Sequence, residues 1–136
     1  MSVKNSAGVL VFRRVGDTVL VLLVQSRGGE SEAWSIPKGE FVIGVEEPRS
    51  AAAREIAEEL GIEVDPLRLG PLGECVYANK KKRVYCFSWE TTTELELILD
   101  NREIGRARFV TLDEARELLH KAQRVFVDRL VREISN

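Results

Sequence analysis

The chemistry-bearing residues of this 136-residue chain gather in one run, Arg54-Glu55-Ile56-Ala57-Glu58-Glu59-Leu60-Gly61-Ile62. At about 100° of rotation per residue, a helix here places Glu55, Glu58 and Glu59 within one stripe and Ala53, Ile56, Ala57 and Leu60 on the neighbouring face. Carboxylates this close repel one another by roughly a few tenths of a kcal/mol per pair on an exposed surface, and by more when buried. Something positive must compensate. Arg54 can serve one of them, but a cluster of hard oxygen ligands is also what Mg²⁺ or Mn²⁺ requires, usually with waters and phosphate oxygens completing the shell. A merely solvated acidic helix is the competing reading, and Asp113-Glu-Ala-Arg-Glu-Leu-Leu119 is a similarly charged stretch with no glycine-bearing loop before it. The segment upstream separates the two: Pro37-Lys38-Gly39 and Gly44 bring permissive backbone and a lysine to the N-terminal end of the acidic helix. Loop, cation and carboxylates together suit a metal-bound diphosphate.

Elements on either side must hold that arrangement in place. Residues 6–13 and 18–25 are two β-rich runs around an Arg14–Asp17 turn, mostly aliphatic and so expected to be covered on both faces. Arg27 to Ala33 is polar and Gly-rich, hence a loop, and Trp34 to Pro37 is a short extended piece because a residue preceding proline avoids helical angles. A further loop runs from Lys38 and Gly39 to about Glu46. The acidic helix then runs from Glu47 or Pro48 to Leu60, with Pro48 in its first turn, Glu46 and Glu47 at the positive end of its dipole and Gly61 as C-cap. Residues 72–78 and 83–90 form another strand pair around Asn79-Lys80-Lys81-Lys82, and a weaker extended segment covers Glu94 to Leu99. Ala107 to Thr111 reads as the last strand. Thr111-Leu-Asp-Glu114 has the form of a capping box opening a helix through His120, and Ala122 to Ile134 has apolar residues at helical spacing. Strands on both sides of a central helix, with helices at the end, predict an α/β sandwich.

Length and composition set the outer limits. A chain of 136 residues with 44% hydrophobic and 31% charged residues is expected to form one domain over residues 1–136 around a single core. Lys and Arg total 20 against 22 Asp and Glu, a formal charge of −2, which gives no footprint for general nucleic-acid or anionic-membrane binding. A polyanionic ligand must be held locally. The longest aliphatic stretch, Val19 to Val24, is far short of the ~20 residues that span a bilayer, and no signal-peptide pattern follows Met1, so a cytoplasmic protein is expected. Cys75 and Cys86 lie in apolar strand-like runs and read as structural thiols in preference to a disulfide. His120, the single histidine, is read as a capping or solvated residue.

The central residues resemble the Nudix hydrolase family, whose box reads G-x5-E-x7-R-E-U-x-E-E-x-G-U with U aliphatic. Glu46, seven residues, then Arg54 through Ile62 match its second part without a gap. Six residues, not five, lie between Gly39 and Glu46, so the loop is one residue longer while the helical carboxylates stay in register. The resemblance implies the family's α/β/α sandwich with a mixed sheet, and Mg²⁺-dependent hydrolysis of a nucleoside diphosphate linked to another moiety. It implies that Glu55 and Glu59 are the main metal ligands, with Glu58 ligating a further metal or positioning water and the Gly39 carbonyl as an additional ligand. Arg54 is implied to pair with and orient a box carboxylate, and Glu55 or Glu58 to accept the proton of water. Glu103, just before the last strand, is where many Nudix sequences place another acid, a surface turn residue being the alternative. Lys38 is a candidate phosphate contact, and Trp34 to Gly39 is similar to the Trp-x-Ile-Pro-Lys-Gly segment of diadenosine tetraphosphate hydrolases. Arg27 and Tyr77 are further substrate-binding candidates.

Other residues have blander expectations. Lys80 to Arg83 reads as a solvated hairpin tip, although it could reach a polyphosphate. Tyr85, Phe87 and Trp89 alternate on one strand face and are expected to fill core beneath a helix. The expected partner is a nucleotide-derived small molecule: dinucleoside polyphosphates first, then nucleoside triphosphates, ADP-ribose and diphosphoinositol phosphates. A Nudix-fold domain that senses a nucleotide without turning it over is the alternative. Monomer and homodimer both stay open.

Overall fold

Strand β1, Lys4–Val15, organises the sheet because its neighbours change along its length. The computed structural model describes residues 3–28, 33–100 and 102–135. One edge of β1 runs parallel to β5, Lys82–Glu90, from Lys4 opposite Lys82 to Phe12 opposite Glu90. On its other edge, Phe12–Val15 pair antiparallel with the start of β2, Thr18–Ser26, through a turn in which Gly16 has φ 61. Asn5–Gly8 pair instead with β3, Lys38–Phe41. Beyond Val21, β2 leaves β1 and continues against β6, Ile104–Thr111, while β4, Gly70–Val76, closes the far side on β5. The order is β4-β5-β1-β2-β6 with β3 alongside β1. The parting of β2 from β1 opens a cleft that β3 and a Val24–Ser35 bridge fill only in part.

Helix α1, Pro48–Leu60, covers one face. Pro48 starts it, and Gly61 ends it in the left-handed region at φ 70, where the amides of Gly61 and Ile62 close back on Ala57 and Ile56. Ala51, Ala52 and Ala53 are small enough to bring the helix close to Ala7, Val9 and Phe41, and Ile56 and Leu60 fill the rest of that layer. Burying one such aliphatic side chain stabilises by about 2 kcal/mol. The other face carries α2, Leu112–Leu118, and α3, Arg124–Ile134, whose Phe126, Val127 and Leu130 pack on Leu10, Leu23 and Cys86. The layers are therefore α/β/α around a mixed sheet, as the resemblance implied.

Several expectations shift at the margins. The stretch from Lys38 to Phe41, read as loop, is strand β3, because β1 offers it an open edge where β2 has departed. Glu94 to Leu99 forms no strand; its backbone ties to the end of α1 through Ile98 N–H to Leu60 O at 2.9 Å and Asp100 N–H to Glu59 O at 2.8 Å. The last strand starts at Ile104, three residues early. The capping box of Thr111 and Glu114 is present, yet α2 stops at Leu118. His120 caps a 3₁₀ turn over Lys121–Gln123, its Nδ1 accepting from Ala122 N–H, so α3 begins only at Arg124. Both cysteines are buried and free, and Phe87 lies in the layer beneath α1 with Tyr85 and Trp89 packed against it, as expected. Residues 29–32 of the Gly-rich loop lie outside the described residues. No helix among the described residues is long and apolar enough to cross a membrane.

Candidate active site

The acidic stripe of α1 divides by burial. Glu55 and Glu59 are 8% and 3% exposed, packed towards the sheet, whereas Glu58 faces solvent. Gly39 on β3 explains how Glu55 fits: a Cβ at that position would occupy the space of the Glu55 carboxylate. Glycine here is needed for close approach. Arg54 holds the outer carboxylates. Its Nε and Nη2 form a fork with Glu46 at 2.8 and 2.9 Å, and its Nη1 donates to Glu55 at 2.8 Å and to Glu58 at 3.3 and 3.4 Å. The extra loop residue is absorbed in a solvent-facing turn, where Val45 and Glu46 amides both bond the Val42 carbonyl. Glu46 thus reaches Arg54 from its place just before the N-cap, a contact beyond its expected role at the helix dipole. The arginine fork pulls the Glu46 carboxyl below the usual range and raises Arg54 itself.

Glu59 has no such partner. Its Oε1 is buried without a hydrogen bond, and its pKa is pushed up to about 8 by burial first, then by the charges of Glu55 and Glu103. Burial also raises Glu55, against the pull of Arg54. Two buried carboxyls side by side, one with an orphaned oxygen, form a hard-oxygen pair that a divalent cation would neutralise. Among the described residues no three His, Cys, Asp or Glu side chains are already gathered as a ligand set, because Glu58 is turned to Arg54. The donor chemistry of Glu55 and Glu59 and the orphaned oxygen fit a divalent ion.

These groups line one groove of about 630 Å³, built where β2 parts from β1. Arg27, Lys38, Gly39, Glu55, Glu58, Glu59 and Glu103 all line it. Arg54 stands behind the carboxylates, and Tyr77 does not reach the groove: it stacks on His120 at 4.3 Å and bonds Gln123. That placement corrects the reading of Tyr77 as a substrate contact, since its ring is already covered. Glu103 is exposed on the opposite lip, its carbonyl accepting from Arg27 N–H at 2.8 Å. Residues the sequence reading missed are Lys4, Ser26, Ser35, Asp100 and Arg102. Lys82 lines the groove too, so the run Lys80–Arg83 is not wholly a solvated tip; Arg83 instead pairs with Glu74 at 3.1 Å.

Gln123, fully buried, fixes the approach to β3. Its Oε1 accepts from Ile36 N–H at 2.9 Å and its Nε2 donates to Tyr77 Oη at 2.9 Å and Ser35 Oγ at 3.2 Å. Gln123→Leu strands the Ile36 amide and is expected to cost about 2 kcal/mol, read as a lower midpoint in urea unfolding.

A profile of the NUDIX domain matches residues 3–130. The chain belongs to the Nudix family. An uncharacterized Nudix hydrolase of Pseudomonas aeruginosa is 29% identical over 129 residues, covering 88% of this chain and 75% of that protein. Rat diphosphoinositol polyphosphate phosphohydrolase 2 is 36% identical over 105 residues, 77% of this chain but 56% of the rat enzyme, so this chain spans just over half of that relative's length. Among solved structures, a C. elegans Ap4A hydrolase binary complex superposes with a TM-score of 0.80 at 21% identity, covering 98% of each chain. The NUDIX domain of Shewanella oneidensis NrtR, complexed with ADP ribose, superposes with a TM-score of 0.77 at 13% identity, covering 98% of this chain and 90% of the other. The structural likenesses establish the fold, and the domain match over residues 3–130 establishes the family: Nudix hydrolases act on pyrophosphate bonds in phosphorus-containing substrates and generally use divalent metals.

Proposed function

We propose that this Nudix chain hydrolyses a phosphoanhydride bond in a nucleoside diphosphate derivative, with Mg²⁺ or Mn²⁺ held by Glu55, Glu58 and Glu59 and the Gly39 carbonyl. The observation that carries the proposal is the buried, unpartnered Glu59 oxygen beside Glu55 in a groove that also exposes lysine and arginine. A bound divalent cation supplies polarisation of a phosphoryl oxygen, charge neutralisation on the leaving group and a lowered pKa for water. The chain's own residues do the rest. Arg54 orients Glu55 and Glu58, either of which is placed to accept a proton from water; Lys38 and Arg27 bind phosphate oxygens. Glu103 supplies further negative charge on the far lip. Dinucleoside polyphosphates are the first substrate class, supported by the Pro37-Lys38-Gly39 segment and by the Ap4A hydrolase likeness in fold. Diphosphoinositol phosphates follow, supported by the rat relative, then nucleoside triphosphates and ADP-ribose.

The sensor reading is favoured by one observation, that Arg54 rather than a third carboxylate completes the cluster. Incubating the protein with these four substrate classes, with and without Mg²⁺ or Mn²⁺, and identifying the products separates the two. Metal-dependent release of phosphorylated products is the expected result. Tight nucleotide binding with no product would establish the sensor and remove the hydrolase.

A further inference from the structure

Trp34 to Ile36 lies between two short ladders. On one side Ser35 exchanges both backbone bonds with Val24 at 2.8 Å. On the other, Trp34 pairs in parallel with Leu119: Trp34 N–H donates to Leu118 O and His120 N–H to Trp34 O, each at 2.9 Å. A parallel ladder would continue with Ile36 N–H donating to His120 O. Here it stops, because the chain turns into the 3₁₀ helix and His120 O accepts from Gln123 N–H at 2.8 Å instead. The Gln123 side chain supplies the missing acceptor, its Oε1 taking the Ile36 N–H at 2.9 Å. Both residues are fully buried, so without that oxygen the amide is stranded. The backbone just downstream is seated as closely: Pro37 O accepts from Val9 N–H at 3.1 Å, and a Cβ at Gly8 would occupy the space of that carbonyl. Two residues on, Gly39 meets the Glu55 carboxylate.

We propose that Gln123 is a positioning residue for the divalent cation: by holding Ile36 it sets where the Pro37–Gly39 backbone stands against Glu55. The proposal rests on the metal reading of Glu55, Glu59 and the Gly39 carbonyl. Gln123 itself does not line the groove and acts from the layer on the other face of the sheet. Its bond falls where a displacement is passed on. Pro37 has no N–H to anchor it and its ring fixes φ, so a shift at Ile36 travels to Gly39 instead of being absorbed between them. The orientation of the Gln123 amide is forced as well. With Oε1 facing the Ile36 donor, Nε2 faces Tyr77 Oη at 2.9 Å and Ser35 Oγ at 3.2 Å, two hydroxyls that accept from it. Tyr77 is held in turn by its stack on His120 at 4.3 Å. Tyr77 and His120 stand outside the groove and serve it through Gln123.

Titrating Mn²⁺ into the parent and its folded variants without substrate, with free Mn²⁺ read by electron paramagnetic resonance, separates this role from turnover. Gln123→Met keeps the length and burial of the side chain but offers no oxygen, and should weaken Mn²⁺ binding by about tenfold. Gln123→Glu, whose carboxylate accepts from Ile36 N–H and from the Tyr77 hydroxyl, should stay within about threefold of the parent. Tyr77→Phe is the control for stability. It removes a buried hydrogen bond and lowers the urea midpoint, yet should leave Mn²⁺ affinity within about twofold, because Ser35 Oγ still accepts from Nε2. Should Gln123→Met fail to fold, Gln123→Asn, which keeps the amide but withdraws its oxygen by one methylene, carries the same expectation. Parent-like affinity in the folded Met or Asn variant, or an equal loss in Tyr77→Phe, would reduce Gln123 to packing and overturn the proposal. A parent that binds no Mn²⁺ removes the metal reading and the positioning role together. Gln123-dependent Mn²⁺ binding in a protein that hydrolyses no substrate leaves the positioning role standing and removes only the hydrolase reading.

Discussion

Glu59→Gln is expected to lower metal-dependent turnover by more than about tenfold, at least ~1.4 kcal/mol on the barrier, while raising the stability of the metal-free protein. The two effects share one cause. Glu59 sits 3% exposed with an unpaired oxygen beside another buried carboxyl, so its charge is unfavourable until a cation arrives. Its folded pKa of about 8 lies above the ordinary value of 4.5, so the folded chain keeps a proton that the unfolded chain has lost between those two values. The Glu59 contribution to stability is therefore fully present below about pH 4.5, is lost as pH rises through that window, and levels off above about 8. Glu55 and Glu59 titrate as a pair, so about 2 kcal/mol at pH 8 is assigned to Glu59, roughly 7 °C in Tm for a domain of this size. Thermal unfolding in chelator from pH 5 to 8.5 should show that slope in the parent and a flatter curve in Glu59→Gln. Mg²⁺ or Mn²⁺ should restore the parent at pH 8 and leave the variant unmoved. A variant with full activity would take Glu59 out of the mechanism; one with the parent's pH slope would assign that slope to another group.

The parts of this site that were legible in the sequence are those fixed by local spacing. Glu55, Glu58 and Glu59 come within one stripe because helix periodicity places them there, and Pro48 and Gly61 bound that helix by backbone chemistry alone. The capping box at Thr111 was legible for the same reason. What periodicity does not carry is which of three similar carboxylates is buried. That depends on Gly39, sixteen positions before Glu55 in the chain, meeting it through β3. Nor does it carry β3 itself, whose four residues are strand only because β2 turns away from β1 and leaves an edge to fill. Lys82 and Asp100 reach the groove through tertiary placement, Lys82 by its parallel pairing beside Lys4 and Asp100 by the backbone tie to Glu59. Tyr77 fails as a substrate contact for a converse reason. An aromatic residue near a binding segment was a fair candidate until a distant histidine covered its face.

Gly39→Ala should reduce turnover by about a hundredfold or more, ~2.7 kcal/mol, with the fold preserved. A methyl group at Gly39 must displace either the Glu55 carboxylate, where it would sit, or the backbone of β3. The backbone is the harder to move: Lys38–Phe41 is paired with Asn5–Gly8, and Phe41 is anchored in the layer beneath α1. Glu55 is held by side chains alone, Arg54 at 2.8 Å and the neighbouring Glu59, so it gives way before the paired strand. Once turned out, it takes with it half of the buried carboxyl pair and relieves Glu59 of a neighbouring charge. The variant should therefore lose the Mg²⁺- or Mn²⁺-dependent rise in Tm while its metal-free Tm changes by only a few degrees. Gly16→Ala is the matched control. Gly16 also requires glycine, at φ 61, but its Cβ would meet open space in the β1–β2 turn, so about 1–2 kcal/mol of stability should be lost without any change in turnover. If Gly39→Ala kept both its activity and its metal response, the approach of β3 to Glu55 would be packing alone, and the cation would have to be held by other oxygens of the groove.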